Sequence, residues 1–245
     1  MMKSDVRNLI FLRTTVFDKA VVAVLTAFNI VSLVYSIKIK NVLYALSTLG
    51  SIALVFLPCI FEYFLSCSIS RDLKIAYWFL VLGGPVLGNV YRFYHYIRPW
   101  DKLLHMLSGF LVAALGYALP DFLLKEPPGK AFKCIFAVSL SVAIGGLWEI
   151  YEYILDVFFQ MDMQNDTVID GFSSYMLGDA PGTIGAIKNI QTVSINGEPF
   201  EKGYIDIGLI DTMKDMIQCT IGAVLCAITA VFQKPGSRFA SIRAI

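Results

Sequence analysis

Six long apolar stretches dominate the hydrophobic pattern of this chain, and each is close to the length of a membrane-spanning helix. A helix needs about 20 mostly apolar residues to cross a bilayer core. The segments that meet this requirement are residues 20–37, 42–66, 75–93, 102–121, 133–158 and 208–232. They predict an all-α fold, a polytopic membrane helix bundle with six transmembrane helices, in a single integral membrane domain over residues 1–245.

The connection over residues 160–204 is the one long interruption of this pattern, and its charges are mostly acidic. Within it, the segment Thr192-Val-Ser-Ile is followed directly by Asn196 and Gly197. An Asn-Gly step next to β-forming residues favours a tight hairpin turn, because both turn positions require a positive φ. We therefore expect a small extracytoplasmic loop that contains a β-hairpin and acts as a lid.

The distribution of Lys and Arg predicts the orientation of the chain. Six spans place both termini on one side, and short cytoplasmic loops carry the excess of positive charge. Twelve Lys and Arg residues fall on the terminal side, in 1–19, 71–74, 125–133 and 234–243, against seven on the other side. Both termini are therefore predicted to be cytoplasmic.

The composition excludes several classes of function. Hydrophobic residues make up 57% of the chain and charged residues 16%, whereas a soluble domain carries roughly 25% charged residues. The mean hydropathy is +0.66. The formal net charge of +1 provides no basic surface for a nucleic acid. The expected partner is the lipid bilayer, and no nucleic acid is expected.

Ionisable residues within spans are costly and are often functional, and here they form pairs at the ends of three spans. Spacings of three or four residues place both members of a pair on one helix face. The alternating direction of the spans places all three pairs at one membrane surface. The pairs are Asp101 with His105, Glu149 with Glu152, and Asp211 with Asp215.

These acidic groups need a compensating positive charge at the edge of a low-dielectric slab. Glu149, Glu152 and Asp156 also occupy the last turns of their helix, where the helix dipole disfavours anions. Arg92 and Lys214 are among the candidate cations, and a divalent metal ion of unknown identity is the other candidate. Carboxylate and imidazole ligands suit zinc, manganese, iron or magnesium. The predicted metal ligands are Asp101, His105, Glu149, Glu152, Asp211 and Asp215.

Four ordered motifs within about residues 90–232 carry a family resemblance. They are Asp101-Lys-Leu-Leu-His105, Trp148-Glu149-Ile-Tyr-Glu152, Asp162-Met-Gln-Asn-Asp166-Thr167 and Gly208-Leu-Ile-Asp211-Thr-Met-Lys-Asp215. In these motifs the chain resembles the YjdF-like bacterial inner-membrane proteins and, more distantly, the VanZ-like membrane proteins. The resemblance implies a multi-pass protein of the bacterial plasma membrane, and the VanZ-like similarity implies a function in the cell envelope.

Three functions remain open at this point. The first is a metal-assisted hydrolase or transferase acting on a lipid-linked or other amphiphilic envelope substrate, with Glu149, Glu152 and His105 as catalytic residues. Its substrate-binding residues would be Arg92, Lys214, Gln164 and Asp166. The second is an ion-coupled transporter that uses the same acids to bind its ion. The third is a structural or regulatory membrane protein in which a salt-bridged cluster orders the loop.

Overall fold

The computed structural model describes residues 15–64, 66–201, 203–233 and 242–244. Leu65 and Lys202, which belong to the predicted second span and the predicted loop, lie outside the described residues. The α-helices are α1 Val16–Lys38, α2 Val42–Val55, α3 Leu57–Phe64, α4 Arg71–Leu82, α5 Phe93–Tyr96, α6 Trp100–Leu123, α7 Lys130–Phe159 and α8 Leu209–Phe232.

The structure confirms the all-α class and the six spans. Helices α2 and α3 together form the second span, and α4 with the π-helix that follows it forms the third. The other four spans are α1, α6, α7 and α8, which are 23 to 30 residues long. Helices α1, α6 and α7 extend the predicted boundaries by one to four residues at each end, whereas α8 begins one residue later than predicted. Thr15 caps α1 in a capping box with Asp18, and Asn41 caps α2.

The third span widens into a π-helix over Gly83–Val90. Pro85 lies inside this segment and has no amide hydrogen, so it cannot complete an α-helical hydrogen-bond ladder. A π-helical turn accommodates this interruption without breaking the span. The π-helix is therefore the form that the interruption at Pro85 takes.

The strands are short and form four separate antiparallel pairs among the described residues. Within the long loop, β5 Val193–Ile195 pairs with β6 Glu198–Phe200. Asn196 and Gly197, which connect them, have φ values of 52° and 88°, so the predicted hairpin is confirmed. The remaining strands are β1 Cys67–Ile69, β2 Thr167–Ile169, β3 Phe172–Ser174, β4 Gly185–Ile187, β7 Tyr204–Asp206 and β8 Ile242–Ala244, with β1 paired to β8, β2 to β7 and β3 to β4.

The chain divides into two compact units. The first comprises residues 1–145 and 217–245, and the second comprises Gly146–Met216. Small residues dominate the core of the first unit, with Ala113, Ala114, Ala137 and Ala223 all fully buried. Small side chains allow helix backbones to approach closely, which is how helices pack where lipid removes the hydrophobic driving force.

A polar seam also runs through the first unit, along the buried face of α1. Asn29, Ser32 and Ser36 are buried there, and Thr48 and Ser51 are buried on α2. The hydroxyls of Ser32 and Ser36 donate to the backbone four residues earlier. The Ser51 hydroxyl instead donates to the carbonyl of Val81 on α4 at 3.0 Å, and hydrogen bonds of this kind help to hold membrane helices together.

Candidate functional site

The first unit contains the predicted pair of Asp101 and His105, in the first two turns of α6. His105 Nε2 lies 3.6 Å from Asp101 Oδ1, and both side chains are mostly buried. The Trp100 indole donates to the carbonyl of Gly83 at 3.0 Å and fixes the start of α6 against the π-helix. Asp101 also lies at the positive end of the helix dipole, which stabilises its charge.

The second unit contains three buried carboxylates on two helices. Glu149 and Glu152 of α7 are 6% and 8% exposed, and Asp215 of α8 is 2% exposed. The indole of Trp148 donates to Glu152 Oε1 at 2.7 Å. The two helices approach each other at Gly146, whose missing Cβ would lie 3.9 Å from the methyl of Met216. This part of the second unit is therefore a buried acidic site.

Asp156, one turn beyond Glu152, holds the beginning of the loop. Its two carboxylate oxygens accept hydrogen bonds from the backbone amides of Met163 at 2.6 Å and Gln164 at 2.8 Å. The sequence pattern suggested a cationic partner for this residue. Backbone amides satisfy it instead, because the chain turns back over the end of α7.

The same short segment is tied to the start of α8. Asp211 Oδ2 accepts from the backbone and the side-chain amide of Asn165, at 3.0 and 3.1 Å. The side-chain amide of Gln164 donates to the Thr212 hydroxyl at 2.5 Å. Asp156 and Asp211 thus clamp residues 163–165 between the ends of two helices. The structure therefore places Gln164 and Asp211 in this clamp.

The other predicted substrate-binding residues are exposed. Arg92 is exposed and adopts the left-handed conformation at φ 61°, directly before α5. Lys214 and Asp166 of the second unit are also exposed. All three are accessible to a molecule that approaches the protein from outside.

The acidic residues near the start of the loop change the pKa of Asp162. The pKa of Asp162 is raised above its ordinary value by partial burial and by the negative charges of Asp166, Asp156 and Asp211. Burial is the larger of these two causes of the raised pKa, even though the Asp162 side chain as a whole is exposed. This surface of the second unit is therefore strongly negative.

Sequence reasoning missed a second buried charge cluster, which lies in the first unit. Lys74 Nζ contacts Asp18 Oδ2 at 2.7 Å and Glu62 Oε1 at 3.2 Å, and all three side chains are at most 6% exposed. Each of these residues is near the end of an apolar run, where a charge ordinarily faces water. The sequence signal is that all three charges flank the first three spans at the same membrane surface, because successive spans run in opposite directions.

Comparison with known proteins gives the chain a family. A family described as "Predicted membrane protein (DUF2238)" matches residues 17–235. The chain belongs to the DUF2238 family. This description and the six apolar helices make the protein a multi-pass membrane protein. The DUF2238 region includes every candidate site residue named above.

One bacterial relative matches part of this chain. An uncharacterised protein of Thermotoga maritima is 27% identical to this chain over 142 residues. The match covers 57% of this chain and 70% of the relative. No solved structure matches the chain.

Proposed function

We propose that this DUF2238 protein is a membrane-embedded, metal-dependent hydrolase or transferase that acts on an amphiphilic, lipid-linked substrate of the bacterial envelope. The observation that carries the proposal is the burial of Glu149, Glu152 and Asp215 together in the second unit. Moving an ionised carboxylate out of water has a desolvation free energy of several kcal/mol, unless a nearby positive charge compensates for it. A divalent cation supplies two charges at one point and suits oxygen ligands.

The proposal assigns Asp101 and His105 to the same metal site. Helices α6 and α8 are separated by two span crossings, so both begin at the same membrane surface, and Asp215 is near the start of α8. An imidazole with four carboxylates forms a ligand set suited to zinc, manganese or iron. Asp211 is engaged with Asn165, so we assign it to positioning the loop.

Residues of this chain would then perform the proton transfers. A bound metal ion would lower the pKa of a water molecule and polarise a carbonyl or phosphoryl group. Glu149 or Glu152 would accept the proton of the attacking water, and His105 would return a proton to the leaving group. Arg92 and Lys214 would bind an anionic part of the substrate, with Asp166 at the rim.

The proposed location follows from the same reasoning. The excess of Lys and Arg supports cytoplasmic termini, so the site would open on the outer face of a bacterial inner membrane. A lipid-linked substrate would then present its polar group to the site at that face. The motifs in residues 90–232 support membership of the YjdF-like group, and the VanZ-like similarity remains a prediction.

Metal analysis of the purified protein tests this proposal. We expect about one divalent metal per chain, and loss of that metal in Glu149→Gln while the protein remains folded. Glu126→Gln, at an exposed loop position, is the matched control and should retain the metal. A metal-free protein in which Glu149→Gln only lowers the melting temperature would favour the structural function.

A transporter is the second candidate, and the polar seam of α1 favours it. Asn29 Oδ1 and Thr26 Oγ1 are buried and have no hydrogen-bond partner among the described residues. Unsatisfied polar atoms at mid-span are typical of a path for water or ions. Cation flux into proteoliposomes that is abolished by Asn29→Leu and by Glu149→Gln, in protein that holds no divalent metal, would favour the transporter over the enzyme.

A further inference from the structure

Trp148 of α7 is hydrogen-bonded to one of the carboxylates of the proposed metal site. Its indole nitrogen donates to Glu152 Oε1 at 2.7 Å. The two residues are four positions apart, so their side chains lie one turn apart on the same helix face. The separation is in the range of hydrogen bonds that an ionised partner shortens. The contact therefore joins an uncharged donor to a carboxylate of the buried acidic site.

The direction of this indole differs from that of an ordinary tryptophan near a membrane surface. Trp148 lies about three turns before α7 ends at Phe159, and it is half-exposed. Interfacial tryptophans keep their ring in the apolar layer and direct the N–H toward the wet side. The N–H of Trp148 instead meets the carboxylate of Glu152, which is buried. Anchoring at the interface thus explains the exposed ring but not the direction of its N–H.

A second aromatic ring restricts the orientation of the indole. The ring centroids of Trp148 and Tyr151 are 5.3 Å apart, with an angle of 45° between the ring planes, which is within the range of aromatic pairs. The indole nitrogen can donate but not accept, so the direction of its hydrogen bond to Glu152 cannot reverse. Packing against Tyr151 and this hydrogen bond together restrict the rotation of the Glu152 carboxylate.

The hydrogen bond of Trp148 differs in kind from those of the neighbouring acids. Asp156 and Asp211 accept from amides of residues 163–165, and these bonds connect the loop to the helix ends. Trp148 and Glu152 both belong to α7, so their hydrogen bond connects no two elements. Pairs on the surface of one helix contribute little to stability. The main effect of the Trp148 indole is therefore on the orientation of Glu152.

We propose that Trp148 is a positioning residue, whose indole N–H orients the Glu152 carboxylate for binding the metal ion of the proposed enzyme. This inference rests on the proposed function, since it requires Glu152 to be a metal ligand. Metal-binding side chains are commonly held by a hydrogen bond from a second residue, and loss of that residue weakens metal affinity by about 10- to 100-fold. Trp148 supplies such a hydrogen bond without adding a charge or a ligand.

The metal affinity of the full-length protein in detergent tests the role of Trp148. The dissociation constants of Mn²⁺ and Zn²⁺ are measured at a temperature at which every variant is folded. Trp148→Phe keeps a ring and loses the donor, so we expect the dissociation constant to rise about 10- to 100-fold. Trp148→Gln keeps an N–H donor and loses the ring, so it should bind the metal more tightly than Trp148→Phe does. Tyr153→Phe, at an exposed ring of the same helix, is the matched control and should bind the metal as the wild-type protein does.

The two Trp148 variants separate positioning from packing. If Trp148 only packed, Phe would be the better replacement, and the melting temperature of the metal-free protein would change instead of the dissociation constant. An unchanged dissociation constant in Trp148→Phe, or weaker binding in Trp148→Gln than in Trp148→Phe, would overturn this inference and leave the proposed function standing. A wild-type protein that binds neither metal would overturn both. If Trp148→Phe does not fold, Trp148→Leu replaces it, because it also removes the donor.

Discussion

Lys74 is the residue on which the buried charges of the first unit depend. It is the one partner that Asp18 and Glu62 have in common, and all three side chains are almost fully buried. A buried ion pair contributes little beyond an apolar pair, but the removal of one member leaves the others unpaired. The identity of this side chain is therefore more constrained than its position beside an apolar run suggests.

We expect Lys74→Gln to lower the free energy of unfolding by about 3 to 5 kcal/mol, since two buried carboxylates would lose their counter-charge. Reversible unfolding in mixed micelles measures this change. Lys125→Gln, at an exposed position, serves as the control and should change stability by less than about 0.5 kcal/mol. Equal effects of the two substitutions would contradict the ion-pair interpretation.

Asp162 gives a prediction with a defined pH dependence. Its pKa in the folded chain is raised above the ordinary value of 3.8, so the folded state binds its proton more tightly than the unfolded state does. Its ionisation therefore destabilises the loop at neutral pH, and the effect is relieved as the pH falls through the folded pKa toward 3.8.

We expect Asp162→Asn to raise the melting temperature at pH 7 and to lose this advantage as the pH is lowered to about 4. Asp179→Asn is the control, because Asp179 is an exposed loop residue that does not contribute to the shift. A constant difference between the Asp162 variant and the wild-type protein at all pH values would show that the ionisation of Asp162 is not the cause.

The sequence predicted which residues share a helix face better than it predicted the partners of those residues. Helical spacing placed Asp101 on the same face as His105, and their side-chain atoms lie 3.6 Å apart. The partners of Asp156 are backbone amides of a loop, and the conformation of that loop follows from tertiary contacts. The Lys74 cluster joins residues 56 positions apart, a separation that local periodicity does not report.

At the level of elements, α6 and α8 pack through glycine. A Cβ on Gly109 would collide with the carbonyl of Cys219, and a Cβ on Gly222 would collide with the carbonyl of Met106. These contacts are all within the first unit. Each glycine therefore allows one helix backbone to touch the other, as in small-residue packing of membrane helices.

We expect Gly109→Ala and Gly222→Ala each to destabilise the protein by about 1 to 3 kcal/mol, because a backbone carbonyl cannot move aside as a side chain can. Gly50→Ala provides the control, since a Cβ added at Gly50 would meet no atom within 4 Å. That substitution should be neutral or slightly stabilising, because Ala favours a helix over Gly. Unfolding in mixed micelles would measure all three.

Element prediction succeeded where one local rule was decisive. The Asn196-Gly197 step determined the hairpin, because its two residues tolerate a positive φ. The three-residue strands β2, β3, β4 and β7 have too few positions for an alternating pattern to emerge. The break between α2 and α3 near Phe56 lies in an uncharged apolar run, where hydropathy gives no signal, and Pro58, which has no amide hydrogen, is its one sequence marker.

For the whole molecule, six spans require that both termini lie on one side of the membrane. We expect a green fluorescent protein fused after residue 245 to fluoresce, and an alkaline phosphatase inserted after Gly182 of the loop to be active. The first reporter works in the cytoplasm and the second outside it. If the fluorescent protein were fluorescent in the loop and the phosphatase were active after residue 245, the predicted orientation would be wrong.

The π-helix of the third span also bears on how DUF2238 sequences should be aligned. A π-helical turn contains about one residue more than an α-helical turn, and Gly83–Val90 includes this surplus. A relative that lacks one residue here would form a regular α-helix over the whole span. Its later residues would still align with the corresponding residues of this chain. Such single-residue gaps would therefore mark relatives in which this span is straight, and they can be used to sort the family into two groups.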